Sequence, residues 1–306
     1  MLRHIAVVTI VVNQLSAVEE PYRQQLDYAA VQRGVVSAEQ AALWSAPAMS
    51  GKPFVILGPA SGKPVYLRFI EDQAAAIPPP GTTFGWNAAE LLVTDPDRLA
   101  SQLQGSAFRV IGPPRDLWPA PDAPRAMQAF GPAGELLYFT RVIPSAFKIP
   151  MTPAQSPVDR VFIMVVGGPS MTAMQDWYRE ALGLKPGPAS AWQINTLSEA
   201  LELPADTRYG LSIVPMPRDF EIELDEYPPV SKPRPVREGA LPAGIAMVSI
   251  GVDRLDDLRV QWRRPPQRLD AFPYNGRRAA VTIGPAGEWL EFIETGTPEP
   301  GNIGSD

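Results

Sequence analysis

A ten-residue stretch occurs twice in this chain. Phe130-Gly-Pro-Ala-Gly-Glu-Leu-Leu-Tyr-Phe139 returns as Ile283-Gly-Pro-Ala-Gly-Glu-Trp-Leu-Glu-Phe292, and the glycines that open the two copies, Gly131 and Gly284, stand 153 positions apart in 306 residues. Two more echoes keep the same order at a spacing of 156: Asp97-Arg98-Leu99 with Asp253-Arg254-Leu255, and Arg3-His4-Ile5-Ala6-Val7-Val8 with Asp159-Arg160-Val161-Phe162-Ile163-Met164. Such a period restricts the chain to two homologous halves, each of ordinary domain size.

Proline-rich stretches divide each half again. Pro78-Pro79-Pro80-Gly81, Ile143-Pro144 through Pro157, and Tyr227-Pro228-Pro229 through Pro235 cannot lie inside helices or central strands. Four units result, near 1–76, 84–144, 157–227 and 240–296, grouped as an N-terminal domain 1–146, a linker 147–156, a C-terminal domain 157–296 and a tail 297–306. The third unit is the plainest. Val161 to Val166 is a β-branched strand, and Ser170 is an N-cap. Met174, Trp177, Tyr178, Ala181 and Leu182 then follow at helical spacing up to Gly183, a C-cap. Tyr209–Val214 and Phe220–Leu224 read as strands around a turn at Met216–Asp219. The first unit has strand His4–Val12, a helix within Leu15–Gln32, and strands Phe54–Leu57 and Val65–Ile70. The second has strand Ala89–Val93, a helix from Asp95–Asp97, and strand Glu135–Val142. The fourth has strand Ile245–Val252, a helix from about Asp253, and strands Ala279–Ile283 and Trp289–Ile293. The fold class is α+β: four βαβββ modules.

Composition removes several chemistries. Hydrophobic residues at 45% and charged residues at 20% specify a packed core. A net charge of −6 argues against a basic face for nucleic acid or anionic lipid. With no cysteine and one histidine, His4, thiolate nucleophiles, Cys-ligated zinc, His-rich metal sites and a Ser–His–Asp triad elsewhere in the chain are all excluded. No P-loop, dinucleotide fingerprint or nucleophile elbow is present. The opening MLRHIAVVTIVV reads as a buried first strand and not a leader, and no apolar stretch approaches the roughly 20 residues of a membrane span. The expectation is a cytoplasmic protein.

Four such modules, with closing segments Gly-Pro-Ala-Gly-Glu-Leu-Leu-Tyr138-Phe and Gly-Pro-Ala-Gly-Glu-Trp-Leu-Glu291-Phe and an Asp159-Arg160-Val161 opening, resemble the vicinal oxygen chelate superfamily. That superfamily includes glyoxalases, bleomycin-resistance proteins and type I extradiol dioxygenases. The resemblance implies modules paired two by two into half-open barrels with helices outside. A residue on each first strand and one on each last strand would line the cleft where the family usually holds a divalent metal. Those positions fall on Arg160, Glu223, Met247 and Glu291 in the C-terminal half, and on His4, Arg68, Ala88 and Tyr138 in the N-terminal half. This sequence departs from the family there. Arginine has no lone pair to offer and repels a cation, so neither set makes a divalent site and no metal or other cofactor is expected.

Two readings of the lining stay open. In one, Glu291 is a general acid or base, Glu223 shares the cleft, and Arg160 binds a substrate carboxylate, enolate or phenolate. In the other, an arginine–glutamate salt bridge fills the place of a metal. His4, Arg68, Tyr138 and Met247 would touch substrate, with Trp262 and Tyr274 reaching over from the loop 262–276. His4 is alternatively a packed histidine, and that loop an ordinary proline-rich surface loop. The expected function is a metal-independent lyase, isomerase or hydrolase acting on a small hydrophobic or aromatic oxygenated molecule. The alternatives are a non-catalytic binding or sequestering protein and a divalent-metal dioxygenase or lyase. A homodimer is compatible with the sequence.

Overall fold

The computed structural model describes residues 1–144 and 151–296. The expected linker is described only from 151 onward, and the expected tail lies outside the described residues. Module 1 comprises β1 (Leu2–Val12), α1 (Glu19–Leu26), β2 (Tyr28–Val35), α2 (Ala38–Leu43), β3 (Pro53–Pro59) and β4 (Tyr66–Glu71). Module 2 comprises β5 (Gly85–Val93), α3 (Pro96–Gln102), β6 (Arg109–Asp116), β7 (Arg125–Phe130) and β8 (Leu136–Arg141). Module 3 comprises β9 (Val158–Gly168), α4 (Met171–Glu180), β10 (Ser190–Gln193), α5 (Asn195–Ala200), β11 (Arg208–Met216) and β12 (Phe220–Glu226). Module 4 comprises β13 (Gly244–Val252), β14 (Gln267–Leu269), β15 (Arg277–Ile283) and β16 (Trp289–Glu294).

The local chemistry is visible at the ends of α3 and α4. Asp95 caps α3 by accepting from the Asp97 and Arg98 amides, and Ser170 caps α4 by accepting from Ala173. Gly183 takes a positive φ of 68° just beyond α4, as its C-cap position requires. Two expected helices differ. In module 1 the helix stops at Leu26 because Asp27 turns left-handed, at φ 57°, and Tyr28 opens β2. In module 4 only a three-residue 3-10 turn forms, Leu255–Asp257, with Leu258 already extended. Leu255 is the one buried residue of that turn, so no apolar stripe is present to hold a longer helix.

The strands form two eight-stranded sheets, β14-β15-β16-β13-β1-β4-β3-β2 and β10-β11-β12-β9-β5-β8-β7-β6. The pairing of modules within each half, expected from sequence, is not the one formed. Module 1 pairs with module 4 through β1 and β13, and module 2 pairs with module 3 through β5 and β9. Each seam is antiparallel, with Thr9 opposite Met247 in the first sheet and Val165 opposite Ala88 in the second. Modules 2 and 4 offer homologous edges, so hydrophobic patterning alone does not choose between them.

One core cluster joins the sheets. It takes Val8 and Ile10 from β1, Leu91 from β5, Met164 from β9 and Val248 from β13, together with Tyr22 of α1 and Tyr178 of α4. The repeated motif bolts this core. The Tyr22 hydroxyl donates to Glu135 at 2.6 Å, and its counterpart Tyr178 donates to Glu288 at 3.1 Å. Each carboxyl also accepts an amide of its own turn, Ala133 N at 2.9 Å and Ala286 N at 2.8 Å. The glycines follow from this geometry. A Cβ on Gly131 or Gly284 would meet the glutamate oxygen at 2.0 Å, while Gly134 and Gly287 hold φ of 82° and 78°. Burial pushes both carboxyls up to about 7, against the pull of their hydrogen bonds.

Candidate active site in the second sheet

Opposite the shared core, each sheet presents an inward face, and the two faces differ. In the first sheet Arg68 and Glu291 are wholly buried. Glu291 Oε1 accepts from Trp44 Nε1 at 2.8 Å and from the Tyr274 hydroxyl at 2.7 Å, and its Oε2 accepts from Ser249 Oγ at 2.5 Å. Arg68 Nη2 lies 3.5 Å from Oε2, and the guanidinium also donates to Thr9 Oγ1 at 3.1 and 2.8 Å. It stacks 4.7 Å over Trp44. Trp44 follows α2, and Met247, Leu241, Trp289 and Ile56 complete an apolar plug around the ion pair. Gln40 Nε2 holds the Tyr274 hydroxyl from outside at 3.2 Å.

In the second sheet the inward positions alternate in the same way but remain partly open to solvent. Gln128 and Phe130 of β7, Tyr138 of β8, Leu211 and Ile213 of β11, and Glu221 and Glu223 of β12 form the half-buried lining of a trough. Beneath them lie Glu90, whose carboxyl accepts from Thr140 Oγ1 at 2.5 Å, and Asp225, whose Oδ1 has no partner. Asp225 borders a cavity of about 20 Å³ shared with Asn87, Tyr138, Thr196 and Tyr227, which is room for one water. Four carboxyl groups crowd this face, and their ionisation is suppressed. Burial pushes Glu90 up to about 7 and Asp225 up to about 8. Glu223 is raised well above the usual carboxylate range by burial and by the charges of Asp225, Glu90 and Glu221. Glu221 is raised by burial as well. The Tyr138 hydroxyl reaches Thr196 Oγ1 of α5 at 3.3 Å, and burial beside the carboxylates raises it too.

No protein-family model and no curated protein matches this sequence. Solved structures do. Glyoxalase I from Zea mays superposes at a TM-score of 0.62 over 95% of this chain and 92% of that one, at 13% identity. A protein of Bacillus subtilis described as a dioxygenase superposes at 0.61 over 96% of this chain and 85% of that one, also at 13% identity. The chain has the vicinal oxygen chelate fold.

In this vicinal oxygen chelate fold, two positions on paired first strands and two on last strands meet at the centre of each sheet. In the first sheet these are Thr9, Met247, Arg68 and Glu291, with Ser249 opposite Glu291, and in the second Val165, Ala88, Tyr138 and Glu223, with Glu90 opposite Tyr138. Neither set fits a divalent ion. The first offers one carboxylate already facing a guanidinium, and the second places two aliphatic side chains at the seam. Among the described residues no group of three or more His, Asp or Glu is arranged to hold a metal.

The predicted site residues therefore separate. Glu291, Arg68, Met247 and Tyr274 share the plugged sheet, so Glu291 is paired with Arg68 and not with Arg160. Glu223 and Tyr138 lie in the open trough. His4 and Arg160 reach neither face. Being repeat counterparts, they approach Phe220 together, with Arg160 5.3 Å over its ring and the His4 ring 6.4 Å away. The ion partner of Arg160 is Asp219, at 4.0 Å, and burial lowers both His4 and Arg160. Trp262 packs edge-on to Phe292, which belongs to the shared core, and so does not cover a cleft. Sequence reasoning missed Glu90, Asp225, Trp44 and Ser249. The two acids carried a signal, since Asp225 lies two residues from Glu223 on the same strand face.

Proposed function

We propose that the open trough is an active site in which Glu223, with Tyr138 and Asp225 beside it, moves a proton on a small aromatic or hydrophobic oxygenated molecule without the help of a metal. The reaction class is lyase, isomerase or hydrolase. The observation that carries this reading is the contrast between the two faces. Equivalent inward residues are sealed in the first sheet, while in the second Tyr138 and Glu223 are only half-buried, and Glu223, held well above the usual carboxylate range by burial, stands beside the buried Glu90 and Asp225, which are pushed up to about 7 and about 8. A carboxyl held near the working pH is present both as acid and as base, which is what general acid–base catalysis needs; such catalysis is typically worth about 10²–10⁴ in rate. Phe130, Leu211 and Ile213 supply the apolar wall for the body of the substrate. The solved relatives in this fold include a glyoxalase and a protein described as a dioxygenase, which supports enzymatic use of the scaffold.

The test is deuterium exchange at carbon next to the carbonyl in a panel of small aryl ketones and aldehydes, followed by NMR in heavy water. Exchange above the buffer rate is expected for the native protein, with a loss of at least about 100-fold in Glu223→Gln and no change in melting temperature. A Glu223→Gln variant exchanging at the native rate removes Glu223 from the chemistry. Ligands that bind and are recovered without exchange make the trough a sequestering site. Dialysis against a chelator is expected to leave the exchange rate unchanged; loss restored by one added divalent ion overturns the metal-free reading.

A further inference from the structure

We infer that the ligand of the open trough is a small organic cation, an ammonium ion on an aromatic or alkyl body, whose charge is met by Glu223 and Asp225. This rests on the reading above only for the place of the site, not for its catalysis.

Three observations carry it. The first is the charge inventory. Glu90 on β5, Glu221, Glu223 and Asp225 on β12, and Tyr138 on β8 converge on one face. The positive groups at its edges are already engaged. Arg109 lies 4.7 Å over Phe130, and Arg234 donates to Thr83 Oγ1 and to the Ile245 and Trp86 carbonyls, its charge reaching Tyr227. Besides burial, the charges that raise Glu90 and Glu223 are those of neighbouring carboxylates.

The second is the orphan acceptor. Asp225 is 2% exposed, its Oδ1 has no hydrogen-bond donor, and it borders the small cavity beside Tyr138 and Tyr227. A buried acceptor left without a donor costs on the order of 1–3 kcal/mol. An ammonium group carries donors and no acceptor, so it would satisfy this oxygen.

The third is the aromatic edge. Phe130, whose ring already carries the Arg109 guanidinium, and Tyr138 stand in the same inward row, so this edge of the trough is aromatic, a lining that suits a cation. An anionic ligand would meet four carboxyl groups and gain none of these contacts.

Linkage supplies an independent readout. Carboxyls held protonated by burial must release protons to pair with a cation. Calorimetric titration of the full-length protein at pH 7 with benzylamine, benzyl alcohol and benzoate, each in phosphate and in Tris, separates the cases. The expected result is binding of benzylamine at least tenfold tighter than benzyl alcohol, no binding of benzoate, and proton release between the two buffers. Asp225→Asn is expected to weaken benzylamine at least tenfold, and Glu223→Gln serves as a second variant should Asp225→Asn not fold. Equal binding of the alcohol or the acid, no heat with benzylamine, or binding without proton release overturns the inference. Benzylamine binding without ketone exchange sinks the catalytic reading and leaves this one standing. Ketone exchange without a preference for the amine does the reverse.

Discussion

Glu291, expected from sequence as a catalytic carboxylate, is wholly buried and paired with Arg68. Three donors and a guanidinium hold it where solvent does not reach. Removing one partner of a buried pair leaves the other charge uncompensated, at a cost of about 3–5 kcal/mol. Glu291→Ala is therefore expected to lose about that much in urea unfolding, while Arg68→Met with Glu291→Met recovers a large part of it. A single substitution that leaves stability unchanged would show the pair to be dispensable. Glu90 responds to pH. Its folded value is near 7 and its unfolded reference 4.5. Between those values the folded chain keeps a proton that the unfolded chain has released. Stability from this group is complete below about pH 4.5 and declines as pH rises through 7. Glu90→Gln is expected to flatten that part of the stability–pH curve, by at most roughly 1.4 kcal/mol per pH unit, as measured by urea unfolding at a series of pH values.

The repeat made some elements legible. All four last-strand positions, Arg68, Tyr138, Glu223 and Glu291, fall on inward faces, because strand alternation fixes every side chain once a register is known. In modules 2 and 4 the Gly-Pro-Ala-Gly-Glu turn fixes that register. On first strands, Ala88 and Met247 fall at the seam, but His4 and Arg160 stand at the strand starts, and the inward residues are Thr9 and Val165. Beyond their polar starts these eleven-residue strands are apolar except for Thr9, and a run that is buried on both faces gives no alternation from which to choose a register. Strand β2 and helix α2 were hidden for another reason. Tyr28–Val35 and Ala38–Leu43 hold residues suited to either state, and the Asp27 turn between helix and strand has no glycine to announce it. The Tyr–Glu bolts were available to a reader of the repeat, since Tyr22 and Tyr178 stand 156 positions apart and Glu135 and Glu288 stand 153 apart. Tyr22→Phe or Tyr178→Phe leaves a buried glutamate short of a donor, and each is expected to cost about 1–3 kcal/mol in thermal or urea unfolding. A neutral result would assign the twin tyrosines to packing alone.

At the scale of the whole molecule, the sheets are shared between the halves. Residues 1–146 made alone lack the β13 and β9 edges that β1 and β5 pair with. They are expected to unfold or to associate as a dimer, read by size-exclusion chromatography with light scattering. A folded monomer of this half would mean that modules 1 and 2 close on each other. Among the described residues no helix is long and apolar enough to cross a membrane. The nesting of one sheet's modules inside the other's also orders the molecule in time. Modules 2 and 3 adjoin in the chain and can complete their sheet while translation continues. Strand β1 precedes all of these and shows a bare apolar edge until β13, ending at Val252, is made. Strand β1 is thus more exposed to wrong partners than the strands of the inner sheet, and slow elongation through the fourth module lengthens that hazard.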